Sequence, residues 1–151
     1  MLACTTDGYV NHWNIASGKL SHSVHIEGNA FKCCDYSVDG LKFVAAGTDR
    51  NVYLFDEYRR QLETTMHSNG LKLEGPASHL LSVKGVPTDS NLFLTGGWDR
   101  TIRIYDVRAG KPVGIIMGPN IHGDTIDMNG DEILVGNYSN KAPLYILSLS
   151  M

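Results

Sequence analysis

Gly96-Gly97-Trp98-Asp99-Arg100-Thr101-Ile102-Arg103-Ile104-Tyr105-Asp106 reads as the end of one strand, a tight turn and a second strand that closes on an aromatic-Asp pair. The layout recurs. Gly47-Thr48-Asp49-Arg50-Asn51-Val52-Tyr53-Leu54-Phe55-Asp56 repeats it, and so does Thr5-Thr6-Asp7-Gly8-Tyr9-Val10-Asn11-His12-Trp13-Asn14. A unit that recurs in this way makes a repeat architecture, which decides the fold before any single element does. It also moves the functional question from a catalytic pocket to a binding surface.

Aligned on Asp7, Asp49 and Asp99, the copies lie 42 and 50 residues apart. The aromatics Trp13, Phe55 and Tyr105 each follow their Asp by six positions. A weaker fourth copy runs from Val135-Gly136-Asn137-Tyr138 into Pro143-Leu144-Tyr145; its turn lacks the Asp. In the second unit four strands are predicted, over residues 30–37, 42–46, 51–55 and 61–65. The third unit repeats them over residues 80–84, 91–95, 101–105 and 112–116. The inner strands are apolar on both faces, as strands covered by a sheet on each side must be. Turns of the Asp-Gly and Gly-x-Asp kind are expected to supply the positive φ of tight hairpins. Ser17-Gly18-Lys19 and Ala109-Gly110-Lys111 are read as hairpin turns too; a phosphate loop would need an earlier Gly and a following helix. Residues 66–78 are read as a long loop that accounts for the 50-residue interval. Four strands per unit at a period near 40–45 residues is the pattern of a propeller blade. The expected fold is therefore all-β, with about three and a half four-stranded antiparallel blades in approximate units 1–28, 29–74, 75–117 and 118–151.

Composition sets limits on function. A net charge of -3, with 19% charged residues, gives no polybasic footprint, so nucleic acid is not the expected partner. The 42% hydrophobic content excludes bulk disorder. No apolar run approaches the ~18 residues that would cross a bilayer, and no basic-then-apolar leader opens the sequence. The three cysteines are Cys4, Cys33 and Cys34. An odd count without CxxC or Cys/His spacing supports neither a disulfide framework nor a zinc site. A reducing, intracellular compartment is expected, cytoplasmic before nuclear.

Taken together, these units resemble WD40 repeats, strongly in the third, well in the second and partly in the first and fourth. The resemblance covers nearly the whole sequence. It implies a toroidal β-propeller of about seven blades that serves as a protein-interaction platform. Two departures stand out. The family's Gly-His pair should fall near Ile26-Glu27 and Gly75-Pro76, and the His is absent from both. Of the family's His, Ser/Thr, Asp and Trp network, the third unit then keeps only Thr95, Asp99 and Tyr105, with Tyr in place of Trp. The segment from Gly118 to Asp124, containing His122, is also unlike an ordinary blade start. The second departure is length. The sequence begins inside a blade and ends on a third strand, so the N-terminal half of a ring is expected to be missing, leaving open sheet edges.

Asp7, Asp49 and Asp99 are read as turn acids that accept backbone N–H groups, not as metal ligands or catalytic acids. His12, His22 and His25 are read as surface or strand histidines, since no ligand spacing links them. Asp124, Asp127, Asp131 and Glu132 lack calcium-loop spacing and are read as solvated turn residues. There is no nucleophile–base pair and no metal set, so no enzyme activity, catalytic residue, metal or cofactor is expected. Trp98 lies in a turn beside Arg100, and large aromatics next to Arg are typical interface anchors. Packing on the neighbouring blade is the competing reading of Trp98. Arg50 and Tyr138 hold comparable turn positions, and the resemblance places such turns on one face of the ring. The expected function is a non-catalytic scaffold for a protein or peptide partner, using Trp98, Arg100, Arg50 and Tyr138. Asp7, Asp49, Asp99, Trp13, Phe55 and Tyr105 are assigned to the repeat framework. The alternative is a structural half-propeller that joins a second chain, self-associates, or docks in a large cytoskeletal or ciliary assembly. No membrane partner is expected.

Overall fold

The computed structural model describes residues 1–67, 79–139 and 143–149. These form fourteen strands in four antiparallel sheets, each a contiguous meander. The first sheet is β1 (Leu2–Cys4), β2 (Tyr9–Asn14) and β3 (Lys19–His25). The second is β4 (Phe31–Tyr36), β5 (Lys42–Gly47), β6 (Asn51–Asp56) and β7 (Gln61–His67). The third is β8 (Leu80–Gly85), β9 (Leu92–Gly97), β10 (Thr101–Asp106) and β11 (Lys111–Met117). The fourth is β12 (Ile126–Asn129), β13 (Glu132–Gly136) and β14 (Leu144–Ser148). Strand order follows chain order in every sheet. The all-β architecture of the sequence reading is therefore the one observed.

The sheets stack face to face, and the two-residue period of a strand divides the apolar residues between two seams. On β5 and β6, Phe43, Ala45, Tyr53 and Phe55 face the first sheet, where they meet Val10. Their neighbours Val44, Ala46, Val52 and Leu54 face the third sheet and meet Val83, Phe93 and Tyr105. Leu92, Leu94 and Ile102 leave the other side of the third sheet to pack on Ile126, Ile133 and Val135. Phe43 and Phe55 stack with centroids 4.7 Å apart. Phe55 and Tyr105 are fully buried, while Trp13 on β2 is half-buried.

The repeat extends to irregularities. A bulge falls between His12 and Trp13, between Leu54 and Phe55, and between Ile104 and Tyr105, at equivalent places in three sheets. Each adds twist where the outer strand joins.

Two expectations are corrected. Residues 66 and 67 are not loop: they end β7, and Met66 is fully buried between sheets. The rest of that segment, 68–78, lies outside the described residues, as does the 74/75 unit boundary. The Asp turns do supply positive φ, on the residue after the Asp. Gly8 (φ 89), Arg50 (φ 70) and Arg100 (φ 60) occupy this one position. Gly47 serves close approach instead, since a Cβ there would lie 2.1 Å from the Ala30 carbonyl oxygen. His12 is a strand histidine, as expected, on β2 and buried at the first seam, with its ring edge-on to Phe43 at 4.8 Å. Asp127 and Glu132 lie on β12 and β13 rather than in turns, and Asp124 and Asp127, though exposed, are partnered. Ser82 Oγ donates to Asp124 Oδ1 at 2.7 Å, and Lys84 Nζ lies 3.0 Å from Asp127 Oδ1 and 3.7 Å from Asp35 Oδ2. Lys84 thereby links the innermost strands of three sheets. The hydrogen bond with Asp127 raises the Lys84 ammonium pKa and, reciprocally, lowers that of the carboxyl.

Candidate interaction face

Each Asp turn is built by its own carboxylate. Asp49 Oδ1 accepts the Asn51 amide at 3.2 Å, and Oδ2 accepts the Asn51 side-chain amide and the Tyr53 hydroxyl. Asp99 Oδ1 accepts the Thr101 amide at 3.2 Å and the Thr101 hydroxyl at 2.9 Å, while Oδ2 pairs with Arg103 at 3.2 Å. Asp7 accepts the Thr5 hydroxyl. These short side chains close the turn locally and leave the next residue to adopt positive φ.

In the second and fourth units the connector entering the inner strand docks on the turn of its own sheet. In the second unit Asn29 Oδ1 accepts the Asp49 amide at 3.3 Å, and the Ala30 amide donates to Thr48 Oγ1 at 3.2 Å. In the fourth unit the Asn120 amide donates to Asn137 Oδ1 at 2.8 Å, and the Tyr138 amide donates to the Asn120 carbonyl at 2.8 Å. Asn29 therefore helps position its turn at a connector where the family His is absent, and Asn120 ties the fourth-unit connector to its turn. In the third unit Thr95 Oγ1 and Tyr105 Oη are buried without a partner among the described residues. Burial pushes the Tyr105 phenol up to about 12.

Docking of these connectors creates a cleft of about 460 Å³ where the second, third and fourth units meet. Thr48 and Lys32 line one side, Leu81 and Trp98 another, and His122 and Asp124 the third. A row of four rings runs from this cleft into the hollow beside it. His79 and Trp98 have centroids 5.4 Å apart, Trp98 and His122 are 5.9 Å apart, and His122 stacks on Tyr138 at 4.5 Å. Trp98 remains 52% exposed and Tyr138 72% exposed. His122 also borders a second hollow, of about 340 Å³, beside Tyr138, Thr125 and Pro143.

Of the four surface residues singled out in the sequence, the fold brings Trp98 and Tyr138 together through His122. It does not add Arg50 or Arg100 to the cleft lining. Both arginines are exposed at the apices of their turns, and the Arg100 carbonyl accepts the Gly118 amide at 3.0 Å. His79 was missed by sequence reasoning. Its signal was its place immediately before the inner strand of the third unit, next to the turn that carries Trp98. Trp98 packs beside two imidazoles, those of His79 and His122, while about half of it stays exposed in the cleft lining.

The model of the family described as WD domain, G-beta repeat matches residues 18–56 and 68–106. The chain belongs to the WD40 family. Among curated relatives, it is 36% identical over 113 residues to Protein sof1 of Schizosaccharomyces pombe, covering 75% of this chain and 24% of that protein. It is 28% identical over 109 residues to the Ribosome biogenesis protein YTM1 of Laccaria bicolor, covering 72% and 24%. It is 20% identical over 128 residues to a Guanine nucleotide-binding protein subunit beta of Solanum tuberosum, covering 85% and 34%. The chain thus spans about a quarter of the length of sof1 and YTM1. Its four meanders are WD40 propeller blades, and the WD40 repeat is a protein-interaction scaffold.

Proposed function

We propose that this WD40 chain is a non-catalytic scaffold that holds a protein or peptide partner along the row of His79, Trp98, His122 and Tyr138. The observation that carries the reading is Trp98: half its surface is open, yet the ring packs beside two imidazoles. A large aromatic already immobilised loses little entropy on binding and makes an efficient anchor. The cleft volume lies within the range of preformed ligand sites. Arg50 and Arg100 flank this face at a position where Gly8 satisfies the same positive φ without strain. Bulky side chains kept at a strained position support a functional assignment for them as rim contacts.

The test is selection of binders from a displayed library of random peptides on the purified chain. Selected peptides should lose about tenfold or more in affinity on Trp98→Ala or Tyr138→Ala, as hot-spot residues do. Tyr58→Ala, on the opposite hairpin end between β6 and β7, should leave binding unchanged. Equal affinity for the Trp98→Ala chain would sink the proposal.

A second reading rests on a different surface. Leu134 on β13 and Leu144 and Ile146 on β14 share one face of the fourth sheet, and all three are exposed. Such a face suits the stacking of a further sheet and supports an assembly role in which this chain associates with a second copy or another chain.

A further inference from the structure

The cysteines divide between two seams. Cys33 and Cys34 are consecutive on β4, so they leave opposite faces of the strand. Cys33 is buried between the second and third sheets, and its thiol donates to the Ala46 carbonyl at 3.6 Å. Cys34 faces the first sheet. There β1 packs on β4, and Cys4, the last residue of β1, lies against the same apolar cluster as Cys34. Cys4 and Cys34 thus approach one cluster from the two strands that pack across this seam, close enough for their titrations to influence each other. Cys4 and Cys34 are partly exposed, whereas Cys33 is not.

We propose that Cys4 and Cys34 are a redox-modification site: a dithiol that a peroxide converts into a disulfide across the seam between the first and second blades.

The two sulfurs have different roles. The neighbouring Cys34 lowers the Cys4 thiol pKa, helped by Lys32 and opposed by burial and by Asp124. Cys4, with burial, raises that of Cys34. Cys4 is therefore the attacking thiolate. Its sulfur attacks a peroxide oxygen; the S–O bond forms, the O–O bond breaks, and hydroxide leaves to become water on taking up a proton. Cys34 then attacks the sulfur of the Cys4 sulfenic acid. The S–S bond forms, the S–O bond breaks, and the departing hydroxide takes the Cys34 proton to leave as a second water. Two thiols lose two electrons and the peroxide gains them. Cys33 is held out of this chemistry by the opposite face of its strand, and burial pushes its thiol well up.

The test treats the reduced, purified chain with stoichiometric hydrogen peroxide, then counts thiols after unfolding and maps the peptides. The free-thiol count should fall from three to one, with a mass loss of two hydrogens and a linked peptide joining Cys4 to Cys34. Cys33→Ser should still form that link, and Cys4→Ser and Cys34→Ser should not. The melting temperature of the oxidised chain should rise by about 5 °C or more, because the bond closes a loop of some thirty residues. Retention of all three thiols would overturn the proposal. So would a link through Cys33, a link between chains, or conversion of Cys4 to a sulfinic acid.

Discussion

Ser82 Oγ donates to Asp124 Oδ1 at 2.7 Å and accepts the amides of Thr125 at 3.2 Å and Ile126 at 3.1 Å. One hydroxyl, fully buried on the innermost strand of the third sheet, thus ties down the start of the fourth. Ser82→Ala removes a partner from buried groups without room for a replacement. The expected cost is about 2 kcal/mol, read as a fall of roughly 5 °C in melting temperature. A change within experimental error would mean that the fourth sheet does not depend on this pin.

His12 sets a pH dependence. Burial lowers its imidazole pKa from the ordinary value, against the opposing pull of Glu57, whose carboxylate lies 3.4 Å away. The neutral form therefore prevails at the seam. The unfolded chain binds this proton more readily than the folded one, so stability is full above about pH 6.5 and declines as pH falls towards the lowered folded value. Urea midpoints at pH 7.5 and 5.5 should differ in that direction, and His12→Leu should flatten the difference. A midpoint that rises on acidification would contradict the assignment.

Two backbone substitutions should act in opposite senses. Gly47→Ala drives a Cβ against the Ala30 backbone and should destabilise by about 3 kcal/mol. Arg60, at φ 55, occupies the hairpin position that Gly18 and Gly110 hold in the neighbouring sheets. Arg60→Gly relieves a left-handed conformation and should stabilise by about 0.5 kcal/mol, after the greater freedom of glycine in the unfolded chain is deducted. Chemical denaturation of both variants checks the pair; destabilisation by Arg60→Gly would show that its side chain contributes more than its backbone costs.

Tyr105→Phe removes a buried hydroxyl with no partner among the described residues. It should leave stability unchanged or raise it by about 1 kcal/mol. Because burial raises the phenol to about 12 in the fold, wild-type stability should fall as pH rises above about 10, where the unfolded chain ionises first. The Phe variant should lose that component. A loss of more than about 1 kcal/mol at neutral pH would reveal a partner for the hydroxyl.

Leu134, Leu144 and Ile146 make association testable by light scattering after size exclusion. If their face stacks on a second copy, the chain should show a discrete dimer, and Ile146→Lys should return it to monomer. A monomer at all concentrations would remove self-association as the occupant of this face.

The propeller was legible because its signals are local. An Asp that closes a turn and an aromatic six residues later recur whatever lies between them, so Asp49 with Phe55 and Asp99 with Tyr105 revealed the hairpins directly. Seam assignment was half legible: alternating apolar residues showed that both faces are covered, but not which neighbour covers each. The aromatic row was least legible. His79, Trp98, His122 and Tyr138 lie far apart in sequence, and they meet only where the third and fourth units come together. Met66 was misread for a related reason. The outer strand is polar at its start, at Gln61 and Glu63, and becomes buried only where the neighbouring sheet crosses it.

Strand order equals chain order in every sheet, with no strand borrowed from a distant segment. Each blade can therefore close its own hydrogen-bond ladder from residues that leave the ribosome together. At synthesis rates of about 5–20 residues per second, a meander of roughly forty residues has seconds to form, far longer than the microseconds a hairpin requires. The seams must wait for the next blade, because the face of Val44 and Ala46 is covered only when Val83, Phe93 and Tyr105 arrive. Birth order and assembly order are then the same, and the interval in which each freshly made sheet shows a bare oily side is set by the pace of translation.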